Sequence, residues 1–271
     1  MAIHKYNPSI NIVRDRGTDT GYIPTQNGKR VVGQMAQDFE KGIHAFNIIG
    51  SYGTGKSSFL LALEQSLNAQ RPYYQTSFLK NANFRSISLV GSYSSLINAF
   101  AAALNVGETV DVEGHVLTEL LSQSKALGKD GLLFVFVDEF GKFLEYAAKN
   151  GGERELYFAQ QLAEFVNKPD RKIALVTTVH QSFESYANDL RPEQRNEWTK
   201  VKGRFREILF NEPVEQLLYL AAEHFKNFRK EDVPQAAVEP AVTLFQRTKA
   251  FSTDDAFAGE MSELIRNVYF A

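Results

Sequence analysis

The chain has 271 residues, a formal net charge of −2 and 44% hydrophobic residues. That length and apolar content suit one sizeable packed domain, with or without a smaller companion, and exclude a disordered chain. Near-neutral charge gives no overall attraction to nucleic acid or to an anionic membrane. The absence of cysteine excludes a disulfide framework and a cysteine-ligated metal site. The start has no apolar stretch of signal-peptide length, and the most continuous apolar run, 132–137, is too short to span a bilayer. The sequence therefore reads as a soluble cytoplasmic protein. Its end at 264–271 carries no helix stop, which reads as a cut within a longer parent chain.

In chain order, residues 1–28 are polar and turn-rich and form an N-terminal extension. Residues 29–41 have the spacing of a short helix, with Val32, Met35, Ala36 and Phe39 on one face. Residues 45–49 are a short buried strand that runs into Gly50, and a helix follows over 58–68. A strand is expected at 84–90, then helices at 94–104 and 115–127. The strongest strand is 132–137, apolar on both faces and so central in a covered sheet. Helices follow at 139–149 and 153–167, the second ending before Pro169. Another buried strand covers 173–179. Helical material through Trp198 precedes a short strand at 207–210, and two helices are expected at 214–228 and 238–248. Strands alternating with helices imply an α/β fold on a mostly parallel sheet.

The segment Gly50-x-x-x-x-Gly55-Lys56-Ser57 fits the P-loop pattern, with a strand before it and a helix after it. Its glycines let backbone N–H groups turn inward onto phosphate oxygens, and the helix N-terminus adds partial positive charge. The nucleotide-binding set is Gly50, Ser51, Tyr52, Gly53, Thr54, Gly55, Lys56, Ser57 and Ser58. Lys56 would reach the β- and γ-phosphates of ATP, and the Ser57 hydroxyl would ligate Mg²⁺. Ligands of such sheets bind beyond the carboxyl ends of the strands. That places Asp138, at the end of 132–137, as the second Mg²⁺ ligand. Glu139 would then polarise the attacking water as a general base. The plainer alternative is that Asp138 and Glu139 cap the helix that follows.

Two further patterns compete with ATP. Asp138-Glu139-Phe140-Gly141 fits Asp-x-x-Gly, and Asn167-Lys168-Pro169-Asp170 fits Asn-Lys-x-Asp, so with the P-loop the chain bears the three marks of a GTPase. Yet 153–166 has helical spacing, with Leu156, Ala159, Leu162, Ala163 and Val166 on one face, and no strand separates Gly141 from Asn167. Asn167 is thus expected at a polar helix terminus. The strand 173–179 ends in a polar tip. The acidic pair resembles that of ATPases in which the next strand inserts between the acidic strand and the P-loop strand. That resemblance implies that Thr178, with His180 and Gln181 beside it, senses the γ-phosphate; alternatively the threonines are strand filler.

Together these features resemble an AAA+ ATPase of the additional-strand P-loop class over roughly residues 30–250. The resemblance implies a three-layer α/β P-loop NTPase with parallel strand order 2-3-4-1-5, a core at 29–212 and a small helical lid at 213–271. It also implies ATP and Mg²⁺ as cofactors and assembly into a homo-oligomer. Gly203-Arg204-Phe205, followed by the short strand and Pro213, matches the segment that carries an arginine finger. Arg204 would act in trans, with Arg206 and Lys202 nearby, although a solvated basic face is the plain alternative. No clear lid arginine is found; Arg247 and Arg266 are the candidates. Tyr22, Ile23 and Val32 fall where the family forms its adenine pocket, or else pack the first helix onto the sheet. The P-loop segment and Lys202-Gly203-Arg204-Phe205 further resemble ATPase subunits of bacterial anti-phage defence systems. The expected function is an ATP hydrolase that drives conformational change or assembly of a protein partner. The alternatives are an ATP-binding switch or scaffold, and a DNA-loading or translocating ATPase, for which Lys200, Lys202, Arg204 and Arg206 are the scattered cations.

Overall fold

The structure is a computed structural model that describes residues 10–75, 78, 83–150, 153–187 and 192–212, with isolated positions beyond. The chain divides into two compact units, 1–211 and 212–271. In the first, the strands β1 (Ala45–Ile49), β2 (Asn83–Val90), β3 (Gly131–Asp138), β4 (Ile173–Val179) and β5 (Arg206–Leu209) form one sheet in the order β2-β3-β4-β1-β5. Every pairing is parallel. Eight helices accompany it among the described residues: α1 (Gln26–Glu40), α2 (Lys56–Leu67), α3 (Leu96–Leu104), α4 (Val112–Ala126), α5 (Gly141–Lys149), α6 (Glu153–Val166), α7 (Phe183–Tyr186) and α8 (Pro192–Lys202).

Every residue of β3 and β4 is buried, as their unbroken apolar sequences demand. The pleat sends Leu132, Phe134 and Phe136 to one core and Leu133, Val135 and Val137 to the other. Helices α1 and α2 close the first face and α3 to α6 with α8 close the second, which gives three layers. Each fully buried phenylalanine in these cores contributes about 2–3 kcal/mol. Among the described residues, no helix is long and apolar enough to cross a membrane.

Local differences from the expected elements have physical causes. Helix α1 starts at Gln26 rather than 29 because the Thr25 hydroxyl accepts from Gly28 N at 2.9 Å and caps it. Gly28 reads as a turn residue, but a Cβ there would lie 2.4 Å from the Tyr74 hydroxyl, so the helix needs glycine for packing. The described part of 1–28 is fastened to the core. Ile12 is buried, the Arg16 guanidinium bridges Glu64 and Ser86, and Gln65 Nε2 donates to Thr18 O. In the second unit the described positions after 212, namely 216, 218, 220, 239, 240 and 243, are helical. The rest of the helices expected at 214–228 and 238–248, with Arg247 and Arg266, lies outside the described residues, as do residues 1–9.

At the amino ends of the strands one side chain ties three segments together. Asn167 Oδ1 accepts from His44 N at 2.7 Å and Ala45 N at 3.0 Å, and its Nδ2 donates to Arg204 O at 2.9 Å. Asn167→Ala would orphan those groups where β1 begins, at a cost of about 2–3 kcal/mol. A urea titration should show that loss in the unfolding midpoint, with nucleotide affinity unchanged. An unchanged midpoint would refute this fastening role.

Candidate functional site

The P-loop joins β1 to α2 at the carboxyl end of the sheet. Gly53 and Gly55 adopt φ of +79° and +84°, the left-handed region that favours glycine. Gly50 has another reason: a Cβ there would lie 2.4 Å from Phe210 O and 2.9 Å from Thr54 Oγ1. Gly55 is the N-cap of α2 and offers no side-chain acceptor, so the first N–H groups of the helix face the loop's concavity. Ser51, Tyr52, Gly53 and Gly55 are exposed, while Thr54, Lys56, Ser57 and Ser58 are half-buried. The Lys56 ammonium folds back onto the loop and donates to Gly50 O at 2.5 Å and Ser51 O at 2.8 Å. Burial pushes it below the usual lysine range, against the pull of Asp138 and Glu139. All three groups therefore share one electrostatic neighbourhood.

That neighbourhood follows from strand order. β4 lies between β1 and β3, so the loop after β1 and the carboxylate ending β3 flank the tip of β4. There the buried Thr178 hydroxyl donates to Asp138 Oδ1 at 2.6 Å and accepts from Glu139 N at 2.9 Å. Glu139 N also meets Asp138 Oδ1 at 3.1 Å. Asp138 is 2% exposed, and among the described residues both its donors fall on Oδ1, which leaves Oδ2 for a cation. A carboxylate there and a hydroxyl at Ser57 are hard oxygen donors of the kind Mg²⁺ takes. Capping is not what the acidic pair does: α5 starts at Gly141, with Phe140 as N-cap and no side-chain cap bond. The expected helix start at 139 fails because Glu139 is left-handed, at φ +51°.

Thr178 is thus set one step behind the open end, at 1% exposure, with its hydroxyl committed to Asp138 rather than turned outward. The polar groups at the tip itself are the half-buried His180 and Gln181. His180 stacks on Tyr52 of the P-loop, with ring centroids 4.5 Å apart and planes at 23°, and its Nδ1 meets the Tyr186 hydroxyl at 3.0 Å. Burial holds the imidazole below its ordinary range; Glu145 opposes that shift and Lys56 reinforces it.

Arg204 lies at the other end of the sheet, just before β5 begins, so it cannot reach the P-loop of its own chain. Its Nε donates to Glu164 Oε1 at 2.8 Å, and the side chain remains half exposed. Arg206 pairs with the buried Asp38 at 3.0 Å, and Lys202 with Glu184. Asn167 sits at this same end, spent on backbone groups, so the Asn-Lys-x-Asp pattern cannot read a base at the P-loop. Val32 is buried in the core beside the sheet, and Tyr22 packs against Tyr73 and Tyr74.

Two features had no signal in the sequence. Lys142 forms an ion pair with the Glu139 carboxylate, an i to i+3 relation visible only once α5 is known to start at Gly141. Gly91 backs the acidic pair: its N–H donates to Asp138 O at 2.7 Å, and a Cβ on it would lie 2.1 Å from Glu139 O.

No protein-family model and no curated protein matches the chain. Among solved structures, the Aeropyrum pernix ORC2 protein in its ADP form aligns with a TM-score of 0.50 and 15% identity, over 91% of this chain and 64% of that one. The Drosophila ORC bound to DNA aligns at 0.47 and 13%, over 86% and 53%, and C. elegans PCH-2 at 0.43 and 13%, over 88% and 52%. This chain therefore spans between about half and two thirds of the chains it matches. With its five-stranded parallel sheet in the order β2-β3-β4-β1-β5 and a P-loop after β1, the chain has the fold of the AAA+ ATPases.

Proposed function

We propose that this chain is a Mg²⁺-dependent ATP hydrolase whose turnover drives conformational change or assembly of a protein partner. The observation that carries it is the grouping of Lys56, Asp138 and Glu139 around the tip of β4, with Thr178 holding both acidic residues in place. The P-loop amides and Lys56 would cradle the phosphates. Ser57 and Asp138 would hold Mg²⁺, which when bound supplies charge neutralisation on the phosphate oxygens. Glu139 would take the proton of the attacking water. Lys56→Ala should weaken ATP binding by about 10- to 100-fold, and Glu139→Gln should keep binding but lower turnover by about 10²- to 10⁴-fold. Equal nucleotide affinity in Lys56→Ala would sink the reading.

One observation favours a second reading, an ATP-binding switch with little hydrolysis: the Glu139 carboxylate is engaged by Lys142 rather than free. Phosphate release by the parent protein no faster than by Glu139→Gln would decide for it. A DNA-tracking role has less support, because Lys202, Arg204 and Arg206 each face a carboxylate of their own chain. Bacterial defence is the setting that the local resemblance of the P-loop and Lys202–Phe205 segments suggests.

Thr178→Val keeps the shape of the side chain and removes its hydroxyl. The Asp138 carboxylate then loses its orienting donor, and Mg²⁺-dependent turnover should fall by about 10- to 100-fold. Calorimetry should show folding stability within about 2 kcal/mol of the parent. Turnover equal to the parent would remove Thr178 from the machinery.

Arg204, remote from its own P-loop, is assigned to the γ-phosphate of a neighbouring copy in a homo-oligomer. Mixing Arg204→Ala with Glu139→Gln subunits should restore turnover that neither variant has alone, since some sites then receive an intact base and an intact finger. No restoration on mixing, with both variants assembling normally, would exclude the trans arrangement.

A further inference from the structure

Lys142 has no place in the P-loop or acidic motifs, yet it pairs with one of the two acidic residues of the site. Its ammonium holds the Glu139 carboxylate, and both side chains are a little under half exposed. The Glu139 backbone cannot move to break that pair. Its N–H is fixed to Asp138 Oδ1 and Thr178 Oγ1, and its carbonyl abuts Gly91. Only the two flexible side chains can change partner. Lys142 also lies within electrostatic reach of Tyr52 on the P-loop, and His180, stacked on that same Tyr52, feels Lys56 and Lys142 together. The two lysines thus lie near the same Tyr52–His180 stack. In this state each is parked, Lys56 on the carbonyls of Gly50 and Ser51 and Lys142 on Glu139.

We propose that Lys142 is a positioning residue that exchanges the Glu139 carboxylate for the terminal phosphate of a bound nucleoside triphosphate, releasing Glu139 toward water only when that phosphate is present. The inference rests on the nucleotide-site reading above. A terminal phosphate carries more charge than a carboxylate, and a lysine on four methylenes can follow it without backbone motion. A diphosphate would leave Lys142 on Glu139, so the exchange distinguishes the two nucleotides through one side chain.

The test is a double-mutant cycle read as Mg·ATP and Mg·ADP affinities by calorimetry, which does not depend on turnover. Lys142→Met should weaken ATP by about tenfold and leave ADP unchanged, and Lys142→Arg should recover part of the loss. Glu139→Gln, which removes Lys142's competing partner, should tighten ATP by severalfold and leave ADP unchanged. In the Lys142→Met background, Glu139→Gln should have no effect. Equal loss for ATP and ADP in Lys142→Met would reduce Lys142 to a structural residue and overturn the proposal. So would no change for either nucleotide, or a Glu139→Gln effect of the same size in both backgrounds. Lys56→Ala separates this failure from that of the site itself. If Lys56→Ala binds both nucleotides as the parent does, the nucleotide-site reading has failed and the exchange falls with it. If only Lys56→Ala loses binding, the site stands and the exchange alone is refuted.

Discussion

The hydroxyl of Thr178 is the contact on which the site turns. It donates to Asp138 Oδ1 and accepts from Glu139 N, so one oxygen fixes a side chain and a backbone across two strands. Buried at 1% exposure, it has no water to replace either partner. The acceptor role holds Glu139 in a left-handed conformation that a residue with a side chain rarely takes. Gly91 completes the support from behind, since any side chain at that position would meet the Glu139 carbonyl. Gly141 does the same ahead of it: a Cβ there would lie 2.1 Å from the Tyr186 hydroxyl, which also meets His180. Two glycines and a threonine thus define where two carboxylates begin, and none of the three needs to touch nucleotide.

Parallel strands give the sheet two unlike ends, and the polar residues divide between them by task. At the carboxyl ends the polar groups are arranged around open space: P-loop amides, Lys56, the acidic pair and the Tyr52–His180 stack. At the amino ends they are consumed by each other. Asn167 binds the start of β1 and the Arg204 carbonyl, and His44 Nδ1 meets Val166 O at 2.6 Å while its ring stacks on Phe39. Arg204 is at this closed end, yet its side chain leans outward on Glu164. A cation placed there stands at the wrong end of the sheet to serve its own P-loop.

The element order, the sheet's two-faced central strands and the P-loop were legible because each is written locally. Six apolar residues in a row at 132–137, short, rich in valine and phenylalanine and preceded by glycine, read as a strand covered on both sides, and glycine spacing at 50–55 reports backbone conformation directly. What escaped is set by contacts between residues far apart in sequence. Gly28 looks like a turn until Tyr74 is placed beside it, and the polar stretch before α1 looks loose until Arg16 meets Glu64 and Ser86. The same blindness made Asn167 resemble a guanine-reading residue, because a four-residue pattern does not say at which end of the sheet it falls. Helical spacing over 153–166 was the local clue that opposed it. For Lys142 even spacing was no help: its pairing with Glu139 depends on a backbone turn that nothing in Asp138-Glu139-Phe140-Gly141 announces.

The charge balance of the site explains why so much of it is internally paired. Two ammonium groups, Lys56 and Lys142, oppose two carboxylates, Asp138 and Glu139, within one half-buried space. Unpaired, any one of the four would bear a desolvation cost. Lys56 lowers its own by using backbone carbonyls, Asp138 by using a hydroxyl and an N–H, and the remaining two by using each other. A polyphosphate with its metal ion would enter such a site by exchanging partners rather than by filling a charged void, so its affinity would be the difference between two well-paired states. That difference is sensitive to each pairing in turn, and the weakest commitment belongs to the half-exposed pair, Glu139 with Lys142. The residue assigned to activate water is therefore also the one whose partner is most easily replaced.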